Sequence, residues 1–196
     1  TDVVVDTPGG ELKKCADQVG AQYIHDRKEL YAFWRDLLPE FSRRNQKKRP
    51  LMEAGASDEE LFRHMADEKP IYLIIHDLAA FLDDIYAPPA PKDGVGDMHG
   101  FVENVVEKGK LHQVYLFAGF DADKVSQYNG RRAFNAFVGY HAGLYLGGAV
   151  DKQRLFTFDN IPYAQRSKAT PPGQALAVST QKPGYGETVV LPQWKG

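Results

Sequence analysis

Ile71-Tyr72-Leu73-Ile74-Ile75 runs without a charge into His76-Asp77. A continuous apolar run of this length reads as a parallel strand covered on both faces. An acid at its C-terminal end is placed to hold Mg²⁺ beside a nucleotide phosphate, the Walker B arrangement. His76 and Asp77 are therefore the first candidates for metal–nucleotide chemistry. The same pair has a plainer use: Asp77 caps a helix opening at Leu78, and His76 is a strand-end histidine with its hydrogen bonds met. Leu78-Ala79-Ala80 follow Asp77, so the second acid that would polarise an attacking water is missing and no residue is assigned a catalytic role.

A phosphate loop would need G-x-x-x-x-G-K-[ST], whose backbone amides, ammonium and hydroxyl together hold a triphosphate and its magnesium. No stretch of the 196 residues matches it. Gly143-Leu144-Tyr145-Leu146-Gly147-Gly148 is glycine-rich, but its glycines lack the dinucleotide spacing and precede no clear helix, which favours a tight turn. Arg43, Arg44, Lys47, Lys48 and Arg49 put five cations in seven residues. That density would serve phosphate contacts, yet no aromatic residue interleaves it to stack on bases. Solvated charge at a helix C-terminus is the expectation, with no strong nucleic-acid binding. His25, His64, His76, His99, His112 and His141 are scattered without a metal-ligand spacing. Cys15, alone, reads as a structural thiol despite Lys13 and Lys14 beside it.

These residues need a scaffold, and the composition supplies one. With 43% hydrophobic and 26% charged residues the chain is globular, and its length suits one core, so one domain over 1–196 is expected. A formal charge of -2 draws it to neither nucleic acid nor anionic lipid. No apolar run reaches the roughly 18 to 20 residues that span a bilayer, so no direct membrane insertion of this chain is expected. Val3-Val4-Val5 forms a first strand running into a turn at Asp6-Thr7-Pro8-Gly9-Gly10. Asp26 with Glu29 opens a helix carrying Leu30, Phe33, Trp34, Leu37, Leu38 and Phe41 inward, with a kink or restart at Pro39. Ser57 with Glu60 is a second capping box. Met98, Phe101, Val102, Val105 and Val106 mark a further helix closed by Gly109. Gln113 to Ala118 is a second central strand, Leu144–Leu146 and Leu155–Phe158 are short strands, and Ala175–Val178 pairs with Thr188–Leu191 as a hairpin. Strand and helix alternate, which argues α/β.

The order of elements and several phrases resemble a C-terminal, degenerate FtsK/SpoIIIE-type ATPase domain of the EssC family, from type VII secretion. They are the His76-Asp77 strand end, Gly100-Phe101-Val102-Glu103-Asn104-Val105, His112 to Phe120, Gly143 to Gly148, Gln153-Arg154-Leu155 and Phe158-Asp159-Asn160-Ile161-Pro162-Tyr163. The resemblance spans nearly the whole chain. It implies a three-layer RecA/P-loop NTPase-like fold with a mostly parallel sheet and a C-terminal β-hairpin, lacking the P-loop strand and helix. It places Gly147, Gly148 and Gln153 in a nucleotide or interface loop. It implies a cytoplasmic domain of a membrane-anchored secretion motor, with neighbouring ATPase domains and secreted type VII substrates as partners. No bound cofactor is expected for this chain alone; ATP and Mg²⁺ would belong to a complete domain. The missing first strand, P-loop and helix would lie upstream of Thr1. That strand would sit between those at Ile71 and Val114, leaving an apolar groove unless something replaces it. A non-hydrolysing module for substrate recognition, docking or regulation is the leading expectation. The alternative is part of an active translocase domain completed by an upstream P-loop.

Overall fold

The computed structural model describes residues 1–7 and 9–192. Pro8, in the first expected turn, and residues 193–196 lie outside them. The chain divides into two compact units, Thr1–Asp121 and Ala122–Gly196.

The first unit is built on the β-branched and aliphatic runs. β1 (Asp2–Val5), β2 (Gln22–Ile24), β3 (Ile71–Ile75) and β4 (Val114–Ala118) form a wholly parallel sheet in the order β2-β1-β3-β4. Parallel neighbours need crossovers, and helices supply them. α1 (Lys13–Val19) joins β1 to β2. α2 (Arg27–Glu53) and α3 (Asp58–His64) join β2 to β3, and α4 (Leu78–Tyr86) and α5 (His99–Lys108) join β3 to β4. Asp26 accepts from the Glu29 amide at 2.8 Å to start α2, and Ser57 with Glu60 forms a complete capping box on α3. Gly109 follows α5 with an ordinary helical φ. Its lack of a side chain serves close approach instead, because a Cβ there would lie 2.6 Å from the Val114 carbonyl oxygen.

Five expectations for this unit are corrected. α2 continues through both Pro39 and Pro50 without a restart. Proline disfavours a helix interior by about 3 kcal/mol, but Leu30, Phe33, Trp34 and Leu37 before Pro39, and Phe41 and Arg44 after it, are buried and hold both segments in one register. Leu38 falls off that stripe and is exposed. β3 pairs directly with β4 along its whole length, from Ile71↔Val114 to Ile75↔Ala118, so no strand and no groove lies between them. β4 is consequently an edge strand, not a central one. The β3–β4 half of the sheet is also covered on one face only: Leu73 and Ile75 are buried, while Tyr72, Ile74 and Phe117 on the opposite face are exposed. Both faces are covered at β1, where Val3, Val4 and Val5 are all buried.

The second unit contains α6 (Val125–Tyr128), α7 (Arg132–Gly139) and an antiparallel sheet of β5 (Gly143–Leu146), β6 (Gln174–Val178) and β7 (Glu187–Val190), in that order. β6 and β7 are the expected hairpin, with Leu176 opposite Thr188. Val150, Phe158, Leu176 and Val178 make its core, with Tyr145, Phe156 and Ile161 packed against them. The strand expected over Leu155–Phe158 does not form. Its aromatic residues enter the core from a loop whose backbone amides are bonded by a side chain, which removes them from any ladder.

Candidate functional site

Asp6 follows β1 as Asp77 follows β3 by one further residue, and both strands deliver polar groups to the C-terminal edge of the parallel sheet. Ligands of open α/β sheets bind at that edge. Here its polar groups bind one another. Asp6 is fully buried and accepts four hydrogen bonds. Gly10 N, Leu12 N and Tyr23 Oη each donate to Oδ2 at 2.9 Å, and His76 Nδ1 lies 2.8 Å from Oδ1. Burial alone would raise the Asp6 pKa, but the bonds from Leu12, Gly10, Tyr23 and His76 outweigh it and hold the carboxyl below the usual range. Burial and the bond to Asp6 push the Tyr23 phenol up to about 12. The other ring nitrogen of His76 lies 3.4 Å from Glu11 Oε2, so the imidazole stands between two carboxylates.

Asp77 faces its own helix. Its Oδ1 accepts from Ala79 N at 2.8 Å and Ala80 N at 3.4 Å, which makes it the N-cap of α4. The end of β4 is tied to the same place: Gly119 N donates to Ile75 O and Leu78 N to Gly119 O, and a Cβ on Gly119 would meet the His76 carbonyl oxygen at 2.5 Å. His76 and Asp77 are thus brought to one strand end, with His76 turned to Asp6 and Glu11 and Asp77 turned to α4.

The glycine-rich candidates lie in the second unit. Gly147 and Gly148, at φ 64° and 68°, turn the chain after β5, where only glycine sits without strain. Gln153 is buried, and its amide is spent on the neighbouring backbone. Oε1 accepts from Leu155 N and Phe156 N at 2.8 Å each, and Nε2 donates to Phe156 O at 2.8 Å and Val150 O at 3.3 Å.

Arg43 and Arg49 of the basic run stay exposed, as solvated charge would, whereas Arg44 and Lys48 are buried. Arg43 pairs with Glu40 and Glu68, Lys47 with Asp67 and Glu68, and Arg49 with Glu53. Arg44 is 3% exposed; it pairs with Glu40 at 2.7 Å and donates to the carbonyls of His112 at 2.6 Å and Lys69 at 2.8 Å. Bonds from Arg43 first, then Arg44, hold Glu40 down at about 2, and bonds from Arg43 and Lys47 do the same for Glu68. The run consolidates α2 against the residues that lead into β3 and β4. At the start of α2, His25, Asp26 and Glu29 bring ligand-type atoms within 4.8 Å of one another, all exposed, in contacts that belong to the helix cap.

Sequence reasoning missed Asp6, Tyr23 and Glu11. A signal for Asp6 existed, since Val3-Val4-Val5-Asp6 repeats the apolar-run-then-acid pattern of Ile71–Asp77. None existed for Tyr23, whose role depends on the β1–β2 register.

A parallel sheet with helical crossovers and acids at its strand ends defines the doubly wound α/β class that includes nucleotide-binding domains. Within it, the fold is similar to two solved EssC structures. One is the cytoplasmic domain of EssC, with a TM-score of 0.71, 13% identity, and 98% of this chain covered against 34% of that one. The other is EssC ATPases 2 and 3 from Geobacillus thermodenitrificans, with a TM-score of 0.63, 15% identity, and 98% against 31%. The chain therefore spans about a third of the length of these structures. No family model and no curated protein matches it by sequence. Among the described residues no helix is long and apolar enough to cross a membrane.

Proposed function

We propose that this chain is a non-hydrolysing EssC-type module of a type VII secretion motor, acting in substrate recognition, docking or regulation of export. The fold likeness supports the motor assignment. The self-satisfied strand edge is the single observation that supports a non-hydrolysing role. Mg²⁺–ATP would need a free carboxylate at the end of β3 and a phosphate cradle before a helix. Asp77 instead bonds two amides of α4, and Asp6 accepts four hydrogen bonds, from Gly10, Leu12, Tyr23 and His76. These residues do not fit the nucleotide. Neighbouring ATPase domains and secreted substrates are the partners this role calls for, in the cytoplasmic part of a membrane-anchored protein.

Isothermal titration of the chain with Mg²⁺–ATP is the direct test, run beside a polypeptide extended toward the N-terminus. No binding heat and no phosphate release from either is expected. Turnover by the extended polypeptide that Asp77→Ala abolishes would replace this reading with that of an active translocase domain.

A further inference from the structure

The chain turns sharply between α6 and α7. Arg131 N donates to the Tyr128 carbonyl at 3.1 Å, Asn129 stands at φ -57° and ψ 129°, and Gly130 stands at φ 96°. These angles and that bond define a type II β-turn with Asn129 and Gly130 at its two central positions, the second of which needs a positive φ. Both ends of the turn are pinned. Tyr128 is buried with its ring beside that of Phe134, and the Arg131 guanidinium lies 4.7 Å over the Tyr128 ring. The Asn129 amide donates to the Val125 carbonyl at 2.9 Å.

The peptide joining Asn129 to Gly130 is the part left loose. Its N–H takes no share in the bond that closes the turn and makes only a marginal contact with Asn135 Oδ1, at 3.5 Å. Swinging this one plane changes ψ of Asn129 and φ of Gly130 in opposite senses and leaves the flanking chain in place; glycine accepts φ of either sign. Nothing lies within 4 Å of the position a Gly130 Cβ would take. The Asn129 side chain is exposed and, among the described residues, its carboxamide makes no hydrogen bond. A loosely held backbone nitrogen therefore neighbours a free carboxamide carbon across a hinge. Rotation of that hinge away from the observed ψ brings the two together.

We propose that Asn129 is a site of spontaneous succinimide formation and deamidation. The Gly130 nitrogen gives up its proton to water and forms a bond to Cγ of Asn129. The Cγ–Nδ2 bond then breaks, and the nitrogen leaves as ammonia after taking a proton back. Water next opens the ring at either imide C–N bond. Cleavage at the side-chain carbonyl gives Asp, and cleavage at the backbone carbonyl gives isoaspartate, in which the chain runs through the former side chain. In sum one water is consumed and one ammonia released, with no redox partner. Either product adds one negative charge ahead of α7, whose N-cap Arg131 supplies no side-chain bond.

The other asparagines lack this combination. Asn45, Asn104 and Asn135 lie inside helices, which fix their peptides, and Asn160 spends both ends of its amide on Gly186. Asp93-Gly94 has the atoms to close the same ring by losing water, but the Gly94 nitrogen donates to the Pro91 carbonyl at 3.1 Å.

Incubation of the intact folded chain at mildly alkaline pH, followed by peptide mapping, supplies the test. The peptide bearing Asn129 should convert to a mixture of Asp and isoaspartate forms, read as the mass gain of NH₂ replaced by OH, with ammonia released in equal amount. It should do so ahead of the peptides bearing Asn45, Asn104, Asn135 and Asn160. Asn129→Gln, whose longer arm disfavours the ring, should lose the early ammonia release. A folded chain that keeps Asn129 intact while the urea-unfolded chain converts it would overturn the proposal, because the turn would then be a protection. Conversion spread evenly over all the asparagines would overturn it as well.

Discussion

The two units solve the same problem, holding irregular backbone against a small sheet, at different ranges. In the first, side chains reach across the sequence: His76 meets Asp6 from 70 residues away, Arg44 binds the His112 carbonyl from 68, and Arg27 binds the carbonyls of Asp84, Ala87 and Pro88. In the second the staples are mostly local. Gln153 bonds backbone within three residues, and Arg166 reaches the carbonyls of Ile161 and Phe158; Asn160 with Gly186 is the longer exception. Parallel strands with crossover helices bring distant segments together, so their polar groups find distant partners. A meander with long loops leaves each loop to bind itself around a few aromatic rings.

The sharpest way to break this comparison is at the smaller core. Phe158 packs with Tyr145 and Phe156 and sits among Val150, Leu176 and Val178. Phe158→Ala should cost about 3 to 5 kcal/mol. Because few other buried residues share the load, amide exchange of β5, β6 and β7 should approach that of unfolded chain. Protection of the Leu176 and Val178 amides at wild-type level would show that the loop staples, and not the rings, hold this unit.

The long-range network of the first unit should be acid-sensitive. Burial first, then the surrounding cations, push His112 down to about 4 from an ordinary 6.5, although its bond to the Lys108 carbonyl works the other way. The unfolded chain therefore takes up this proton before the folded one. The stability it confers is complete above pH 6.5 and is lost as pH falls toward 4, by about 3 kcal/mol. Glu40 and Glu68, held at about 2, add a second loss in the same direction from pH 4.5 downward. Denaturant melts of the first unit at pH 7, 5.5 and 4.5 check this. His112→Gln should abolish the decline between pH 7 and 5.5, and a decline that survives it would assign the effect elsewhere.

Most of the elements were legible because they are local. The capping pairs Asp26–Glu29 and Ser57–Glu60 each act within one helical turn, and the apolar runs at Val3, Ile71 and Leu144 mark strands by themselves. The errors share a cause. That β4 is an edge, that it meets β3 directly, that Pro39 sits inside a continuous helix, and that Phe156 and Phe158 enter a core from a loop are all settled by packing between distant segments. The candidate site divides the same way. His76 and Asp77 announce themselves, but their occupation by Asp6, Glu11 and α4 depends on strand register, which no single window of sequence contains.

Gln153→Ala tests the local side of the comparison at intermediate cost. The substitution strands the Leu155 and Phe156 amides and the Phe156 carbonyl, worth about 2 kcal/mol. Exchange of the Leu155 and Phe156 amides should accelerate, with a smaller loss in β6. If Gln153 served a ligand instead, the substitution would leave the exchange of both amides unchanged.

Asp77→Ala is the smallest effect and the most informative about the strand edge. As the N-cap of α4 the side chain satisfies the Ala79 and Ala80 amides, and its loss should cost about 1 kcal/mol. Asp77→Asn keeps an acceptor oxygen at the same place and should recover most of that loss, because a cap needs a lone pair and not a charge. A Mg²⁺ ligand behaves otherwise: Asn would be nearly as damaging as Ala, and Mg²⁺ would stabilise the wild-type chain alone. Thermal melts of the three proteins with and without 10 mM-scale Mg²⁺, on the order of physiological metal levels or above, therefore separate the two roles. Recovery by Asn with no metal dependence leaves Asp77 to the helix, and the end of β3 then carries a cap where an ATPase would carry a metal ligand.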